Sequence, residues 1–170
     1  MIRELGPIVL IPAAWVLAVL TVVYPEVDTY WIEHMHYFMV LFLAGFTLTS
    51  WEKMDTAVLK TWRWIIAVGV FATAAGAVSF HVDSFDQVLA SLSLLYWLVA
   101  PGVAAYYTKG QMDEYEEEYK IVGYAGVIAL SVYLIGITID GNLLKVLGIG
   151  TALVSQTYSI IVAARLDGNI

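Results

Sequence analysis

Histidines and carboxylates stand together at two places in the sequence, each at the end of a long apolar run. The first is Glu33-His34-Met35-His36, and the second is His81-Val82-Asp83. Neutral imidazole nitrogens and carboxylate oxygens are ligands that zinc, copper and iron accept. The residue types therefore predict a metal site built from His34, His36, His81 and Asp83.

The spacing within the first group limits that prediction. On a helix that turns about 100° per residue, the side chains of His34 and His36 point roughly 160° apart. One helical turn cannot direct both toward a single ion. A shared site therefore requires a helix that begins after these residues, or a pairing of one of them with His81 from a neighbouring turn.

The same histidines allow three other interpretations. A haem could take one axial histidine from each of two helices, although membrane cytochromes usually bury such ligands inside their spans. A proton relay or proton sensor is the second interpretation, because histidine titrates near neutrality and carboxylates lie nearby. The third is a set of interfacial imidazoles that contact only headgroups, water or backbone carbonyls. The sequence leaves all of these open, with a transition metal or haem as the cofactors it allows.

Six long apolar segments must position these residues. The chain is 61% hydrophobic and 14% charged, against about 45–50% and about 25% in soluble domains. A hydrocarbon core about 30 Å thick needs roughly 20 apolar residues in a helix, and these runs lack the alternation of barrel strands. The predicted spans are Pro7–Tyr24, Tyr30–Ser50, Trp62–Phe80, Val88–Tyr107, Ile121–Ile139 and Leu143–Ala164.

These spans predict an all-α, polytopic membrane protein. We expect a compact bundle of six transmembrane helices, forming a single domain over residues 1–170 and crossing the cell membrane several times. The lipid bilayer is its expected partner, and assembly as a homo-oligomer or with other membrane subunits is compatible with the small size of the bundle.

Basic residues orient the bundle, because they accumulate on the cytoplasmic side of membrane proteins. With the N-terminus inside, only Lys145 falls toward the outer side. The inner side then collects Arg3, Lys53, Lys60, Arg63, Lys109, Lys120 and Arg165. The sequence therefore predicts that both termini are cytoplasmic and that all three histidines form a cluster at the outer face.

The three predicted outer turns share a pattern in which a β-branched residue precedes an aspartate and a small residue follows it. The aspartates are Asp28, Asp83 and Asp140, spaced 55 and 57 residues apart. Each is predicted to cap the helix after it, because an Asp side chain accepts hydrogen bonds from the first free amides of a helix. The spacing also predicts three copies of one helical hairpin, although capping alone would explain the pattern.

Superposing the first and third hairpins would place Lys145 where Glu33 stands. Each lies five residues past its aspartate, about 7–8 Å into its span. A charge at that depth is costly unless it is paired or faces water, which predicts an ion pair between Glu33 and Lys145. Alternatively, both side chains reach the headgroups separately.

Polar residues deeper in the spans are few. Gln156 lies in Ser155-Gln156-Thr157, past the midpoint of the sixth span, and could line a transport path or bond between helices. Pro101 predicts a kink in the fourth span, because proline removes a helix hydrogen bond. Small residues predict close helix packing, at Gly69, Ala72, Ala75, Gly76 and Ser79 in the third span and at Gly148, Gly150 and Ala152 in the sixth.

Several classes of function are excluded. Cysteine is absent, which rules out disulfides, thiolate metal sites and thiol catalysis. No zincin, phosphate-loop or serine-elbow motif occurs, so a non-enzymatic role is expected. The net charge of −7, with much of the acid in Asp113–Glu118, makes nucleic acid an unsuitable partner.

Three functions remain. The favoured one is a small transporter or channel for an ion or small solute, since it needs no cofactor and uses features inside the membrane. The alternatives are a metal- or haem-binding membrane protein, with or without redox activity, and a non-catalytic subunit of a membrane complex.

Overall fold

The computed structural model describes residues 2–24, 26–111 and 114–166, with their side chains except those of residues 2–8, 164 and 166. Arg3, which supports the predicted orientation, and Asp113, which begins the acidic stretch, fall outside these described side chains. The described chain forms helices and turns and contains no strand. The α-helices are α1 (Ile2–Val23), α2 (Thr29–Ser50), α3 (Ala57–Val78), α4 (Asp86–Thr108), α5 (Glu116–Thr138) and α6 (Asn142–Leu166).

The all-α prediction is confirmed, and each predicted apolar segment overlaps one of the six helices. Single-turn 3₁₀ helices extend α3 at Ser79–His81 and α4 at Lys109–Gln111. The helices form because each apolar run is long and contains few helix breakers. Prolines are the exceptions: Pro7 and Pro12 lie inside α1 and Pro101 inside α4, and none of them ends its helix. The kink at Pro101 stays a prediction.

Four helices are long and apolar enough to cross a membrane. With their 3₁₀ extensions, they cover Ala57–His81, Asp86–Gln111, Glu116–Thr138 and Asn142–Ala163. In each of these helices, only 28 to 39% of the most apolar 18-residue stretch is buried within the protein. Helices this apolar, with so much surface exposed, suit an apolar solvent and are compatible with a membrane protein. Val9–Val23 of α1 is a shorter apolar helix.

The helices are divided between two compact units. One consists of Val27–Ala100 and contains α2, α3 and the part of α4 that precedes Pro101; the other consists of Met1–Glu26 and Pro101–Ile170. In the first unit, α2 packs along α3, and in the second, α6 packs against both α1 and α5. The single-domain arrangement stays a prediction.

Glycines set the close helix contacts that the small residues predicted. A Cβ added at Gly148 of α6 would lie 2.8 Å from the carbonyl oxygen of Ala129 on α5. A Cβ at Gly69 of α3 would lie 2.5 Å from the Trp97 ring of α4. These two positions confirm packed seams. Gly150 does not contribute to one, since no described atom lies within 4 Å of the place its Cβ would take.

The prediction that three aspartates cap the following helices is right for only one of them. Asp28 caps α2, with its carboxylate accepting the Tyr30 N–H at 2.9 Å. Asp83 lies too early in its turn, because the first helical bond of α4 runs from Leu89 N–H to the carbonyl of Phe85. Asp140 instead ends α5.

Asp140 adopts a left-handed backbone conformation, with φ of 50°. Its N–H donates to Ile137 O at 3.3 Å, and the Gly141 N–H donates to Gly136 O at 2.8 Å. This is the bonding of a Schellman helix end. Aspartate tolerates a left-handed backbone better than most residues, so Asp140 can take the position after the end of α5 instead of capping α6. The aspartates therefore give no support to the threefold repeat, which stays a prediction.

Candidate functional site

Glu33, Tyr37 and His81 form a hydrogen-bonded cluster in the unit that contains α2 and α3. Glu33 and Tyr37 lie one turn apart on the same face of α2, and His81 ends the 3₁₀ turn after α3. The Tyr37 hydroxyl donates to Glu33 Oε1 at 2.6 Å. His81 Nε2 lies 2.5 Å from the Tyr37 hydroxyl and 3.1 Å from Glu33 Oε1. We refer to these three side chains as the outer cluster, after the face at which the sequence predicts them.

The hydroxyl of Tyr37 determines which atoms carry protons in the outer cluster. Because its hydrogen points to Glu33, its oxygen is left to accept from His81 Nε2–H. The His81 side chain is 60% exposed, whereas that of Glu33 is 23% exposed. The cluster therefore opens to solvent through the imidazole and shields the carboxylate.

His34 lies beside the outer cluster without linking its members. Its ring packs against that of Tyr30 at a tilt of 33°, with centroids 3.8 Å apart, and its Nδ1 donates to the Tyr30 carbonyl at 2.8 Å. The ring edge also meets Tyr37, with centroids 5.9 Å apart. These contacts hold His34 against α2 itself.

His36 points to another side of α2, as the angle of roughly 160° predicted. Its Nδ1 donates to Ile32 O at 2.8 Å, so a neutral ring presents Nε2 as an acceptor. That nitrogen lies 2.7 Å from the place a Cβ would take on Gly76, and Ser93 Oγ lies 2.8 Å from the same point. The absent side chain of Gly76 therefore lets an imidazole and a buried hydroxyl each approach α3 closely.

Polar contacts continue along α3 and α4 from this point. Thr73 Oγ1 accepts from Trp97 Nε1 at 2.9 Å and donates to a carbonyl of its own helix. The Tyr96 hydroxyl donates to the carbonyl of Ile65 at 2.5 Å. From Gly76 to Ile65 the helix rises about 16 Å. We call His36, Ser93, Thr73, Trp97 and Tyr96 the polar seam.

Sequence reasoning found part of this site and missed the rest. The types and positions of Glu33, His36 and His81 indicate chemistry, whereas Tyr37 falls within the predicted span Tyr30–Ser50 without any assigned role. Its position four residues after Glu33 is a signal that could have identified it, since such residues are neighbours on a helix. Ser93 and Thr73 gave no signal, because isolated hydroxyls are common in spans.

The predicted metal site gains no support from these positions. His34 and His36 face different surroundings, His81 bonds within the outer cluster, and Asp83 is exposed in its turn. Within the described ranges, no three histidine or carboxylate side chains converge on a point where they could hold an ion. A metal or haem at His34, His36, His81 and Asp83 stays a prediction.

Glu33 and Lys145 each have a partner within their own unit. Lys145 Nζ lies 2.7 Å from Asp140 Oδ1, a bond that holds the pKa of the Asp140 carboxyl below its usual value. Glu33 is bonded to Tyr37 and His81. The ion pair between Glu33 and Lys145 stays a prediction. Because each side chain already has a partner, the structure gives no reason to expect this pair.

Gln156 serves as a bond between helices. Trp15 Nε1 of α1 donates to Gln156 Oε1 of α6 at 3.0 Å, and both residues are only 5% exposed. Such a bond satisfies two buried polar groups at once. This contact fits the expectation that Gln156 bonds between helices. Its role in lining a transport path stays a prediction.

No family model matches the chain, and no similar protein is found among the curated proteins or the solved structures. The function therefore has to be argued from the chemistry of the site alone.

Proposed function

We propose that this chain is a six-span protein of the cell membrane with both termini in the cytoplasm. The four long apolar helices support four of the spans. In α2, the side chains of Phe38, Leu41 and Leu48 are 49%, 73% and 80% exposed, which suits contact with lipid. The asymmetry of Lys and Arg between the two sides supports the orientation.

We further propose that the protein is a small transporter or channel whose transported or coupled ion is the proton. The observation that carries this proposal is the Tyr37 hydroxyl, which bridges the His81 imidazole and the Glu33 carboxylate at 2.5 and 2.6 Å. A proton relay needs donors and acceptors within such distances and one group that titrates near neutrality. His81 meets the solvent, and Glu33 lies behind it.

The cost of placing Glu33 in a membrane helix supports a functional role. A carboxylate inside a span is expensive unless a partner or water compensates for it. Its partner is a histidine that can change charge, rather than a permanent cation. An arrangement of this kind favours proton exchange over a static ion pair.

The polar seam supports a path inward from the outer cluster. His36 lies three residues after Glu33, about 4.5 Å further along α2, and directs Nε2 toward α3. The seam then extends about 16 Å, roughly half of a hydrocarbon core about 30 Å thick. Trp97 and Thr73 are bonded directly, and entering water would link the other members of the seam.

Proton flux into liposomes tests this function. Purified protein is reconstituted with a trapped pH dye, and a potassium diffusion potential drives protons inward. The wild type should acidify the lumen, and Glu33→Gln should slow the initial rate about tenfold or more. Asp83→Asn is the matched control, because it removes the same charge from an exposed site at the same predicted face.

The control variant should retain the wild-type rate. A wild-type rate equal to that of protein-free liposomes would contradict transport of protons. An equal loss in Glu33→Gln and Asp83→Asn would show that surface charge, rather than the outer cluster, sets the rate.

A further inference from the structure

Three buried polar atoms that lack a hydrogen-bond partner belong to residues at the C-terminal end of α2 and in the first turns of α3. Across the part of the chain that the structure describes, Ser50 Oγ, Trp62 Nε1 and Arg63 Nε are the side-chain atoms of this kind. Each can donate a hydrogen bond, and two of them can only donate. Buried polar groups are nearly always bonded, so a group of donors in one place indicates an acceptor that binds there.

The residues concerned are held next to one another by Arg63. Its Nη1 donates to the Trp51 carbonyl at 2.9 Å, and its guanidinium carbon lies 4.2 Å from the centroid of the Trp51 ring. Ser50 directly precedes Trp51, and Trp62 directly precedes Arg63. This one contact therefore brings the end of α2, with Ser50, close to the part of α3 that holds Trp62.

The charge of Arg63 is fixed in this arrangement. A guanidinium stays protonated at any physiological pH, and its Nε edge is directed away from the bond to Trp51. Asp55 is close enough for Arg63 to lower the pKa of its carboxyl, but Lys60 binds that carboxylate at 2.9 Å and has the larger effect on it. The buried Nε–H therefore remains for a ligand.

The Trp51 ring beside the guanidinium contacts a second indole. The ring of Trp64 meets that of Trp51 edge to face, with centroids 5.4 Å apart, and Trp64 is 57% exposed. Tryptophans of this kind lie at the level of lipid headgroups. The donors thus lie where the phosphate groups of lipids are found.

We propose that Arg63, Ser50 and Trp62 form a binding site for a phosphate group, with the headgroup phosphate of an anionic lipid as its source. Phosphate oxygens only accept hydrogen bonds, and guanidinium binds them through parallel donors. The Ser50 hydroxyl and the Trp62 indole N–H each add one more donor. The site is separate from the outer cluster and does not depend on proton transport.

Binding of short-chain phosphatidylglycerol to the protein in a maltoside detergent tests this site. Native mass spectrometry counts bound lipids, and a titration gives the affinity. We expect one tightly bound molecule in the wild type and weakening of about tenfold or more in Arg63→Gln. Lys60→Gln is the matched control, since it removes the same charge one turn away from a lysine already paired with Asp55.

Two further variants keep the test informative if Arg63→Gln does not fold. Arg63→Lys retains the charge but loses the Nε donor, and Ser50→Ala removes the hydroxyl; each should weaken binding by about threefold or more. Size-exclusion chromatography checks that each variant is folded.

The source of the phosphate is resolved by two other probes. Diacylglycerol, which lacks phosphate, should not bind at this site. Inorganic phosphate that displaces the lipid would support the site and identify free phosphate as a ligand, whereas binding of the lipid alone would identify the headgroup. Equal affinities in wild type and Arg63→Gln, or equal losses in Arg63→Gln and Lys60→Gln, would overturn the proposal.

Discussion

The Tyr37 hydroxyl of α2 lies 2.5 Å from Nε2 of His81, which ends the turn that follows α3. This contact joins the start of one helix to the end of the next. The same hydroxyl donates to Glu33 one turn earlier. The Tyr37 hydroxyl therefore bridges the histidine and the carboxylate. Removing it distinguishes proton transfer through the hydroxyl from direct transfer between His81 and Glu33.

Tyr37→Phe removes the bridge and leaves Glu33 and His81 within 3.1 Å of each other. If protons pass through the hydroxyl, flux into liposomes should fall about tenfold or more. The free energy of unfolding should change little, because the lost hydrogen bonds are exposed. Tyr30→Phe is the matched control on the same helix, and its flux should equal that of the wild type. Equal rates in the two variants would remove Tyr37 from the path.

Gly76→Ala tests the close approach of His36 and Ser93 to α3. The added Cβ would meet the imidazole at 2.7 Å and the hydroxyl at 2.8 Å. Overpacking of this kind should destabilise the protein by about 1–3 kcal/mol. Unfolding in increasing concentrations of a denaturing detergent measures the change in stability.

Gly45→Ala provides the control for that variant, since no described atom of the protein lies within 4 Å of its added Cβ. Alanine favours a helix over glycine by about 1 kcal/mol, so this variant should be neutral or slightly more stable. Two variants of equal stability would mean that His36 and Ser93 do not pack against Gly76.

Gln156→Leu separates a packing role from a transport role. It removes the acceptor for Trp15 Nε1 in a buried contact between α1 and α6, which should cost about 0.6–2 kcal/mol. Flux per folded molecule should remain that of the wild type, because the outer cluster belongs to the other unit. A selective loss of flux with unchanged unfolding would place Gln156 on the transport path instead.

Lys145→Met tests the ion pair between Lys145 and Asp140, which lies just after the end of α5. In the folded protein, bonding to Lys145 lowers the pKa of Asp140, so the pair stabilises the fold above the pKa of Asp140 in the unfolded chain. This contribution is lost as the pH falls through the lower, folded-state pKa. In the variant, an NMR titration should show the Asp140 pKa raised toward its ordinary value. Asp55, paired with Lys60, should titrate as before; an unchanged Asp140 would contradict the pairing.

Much of the fold could be predicted from sequence because lipid imposes long apolar helices on any chain that crosses it. That constraint is why segments such as Tyr30–Ser50 overlap helices that the structure contains. It does not specify helix ends, where short-range bonds compete. Asp140 illustrates this, since its left-handed conformation at the end of α5 depends on the chain that follows and not on the aspartate pattern.

The candidate site was predictable only in part, for a different reason. Histidines and carboxylates in an apolar chain are conspicuous, so Glu33 and His81 could be identified from composition and position. Which of them meet depends on the packing of α2 against α3. Tyr37 links them because of that packing, and Trp51 and Arg63 are brought together by it at the opposite end.

Single-cysteine labelling tests most directly the claim that the outer cluster faces the exterior of a membrane. The chain contains no native cysteine, so Ser84→Cys and Glu52→Cys report on exposed positions near the two ends of α3. In intact cells, an impermeant maleimide should label position 84, and it should label position 52 only after the membrane is opened. Labelling of position 52 in intact cells, with position 84 protected, would place the histidines in the cytoplasm and contradict the account.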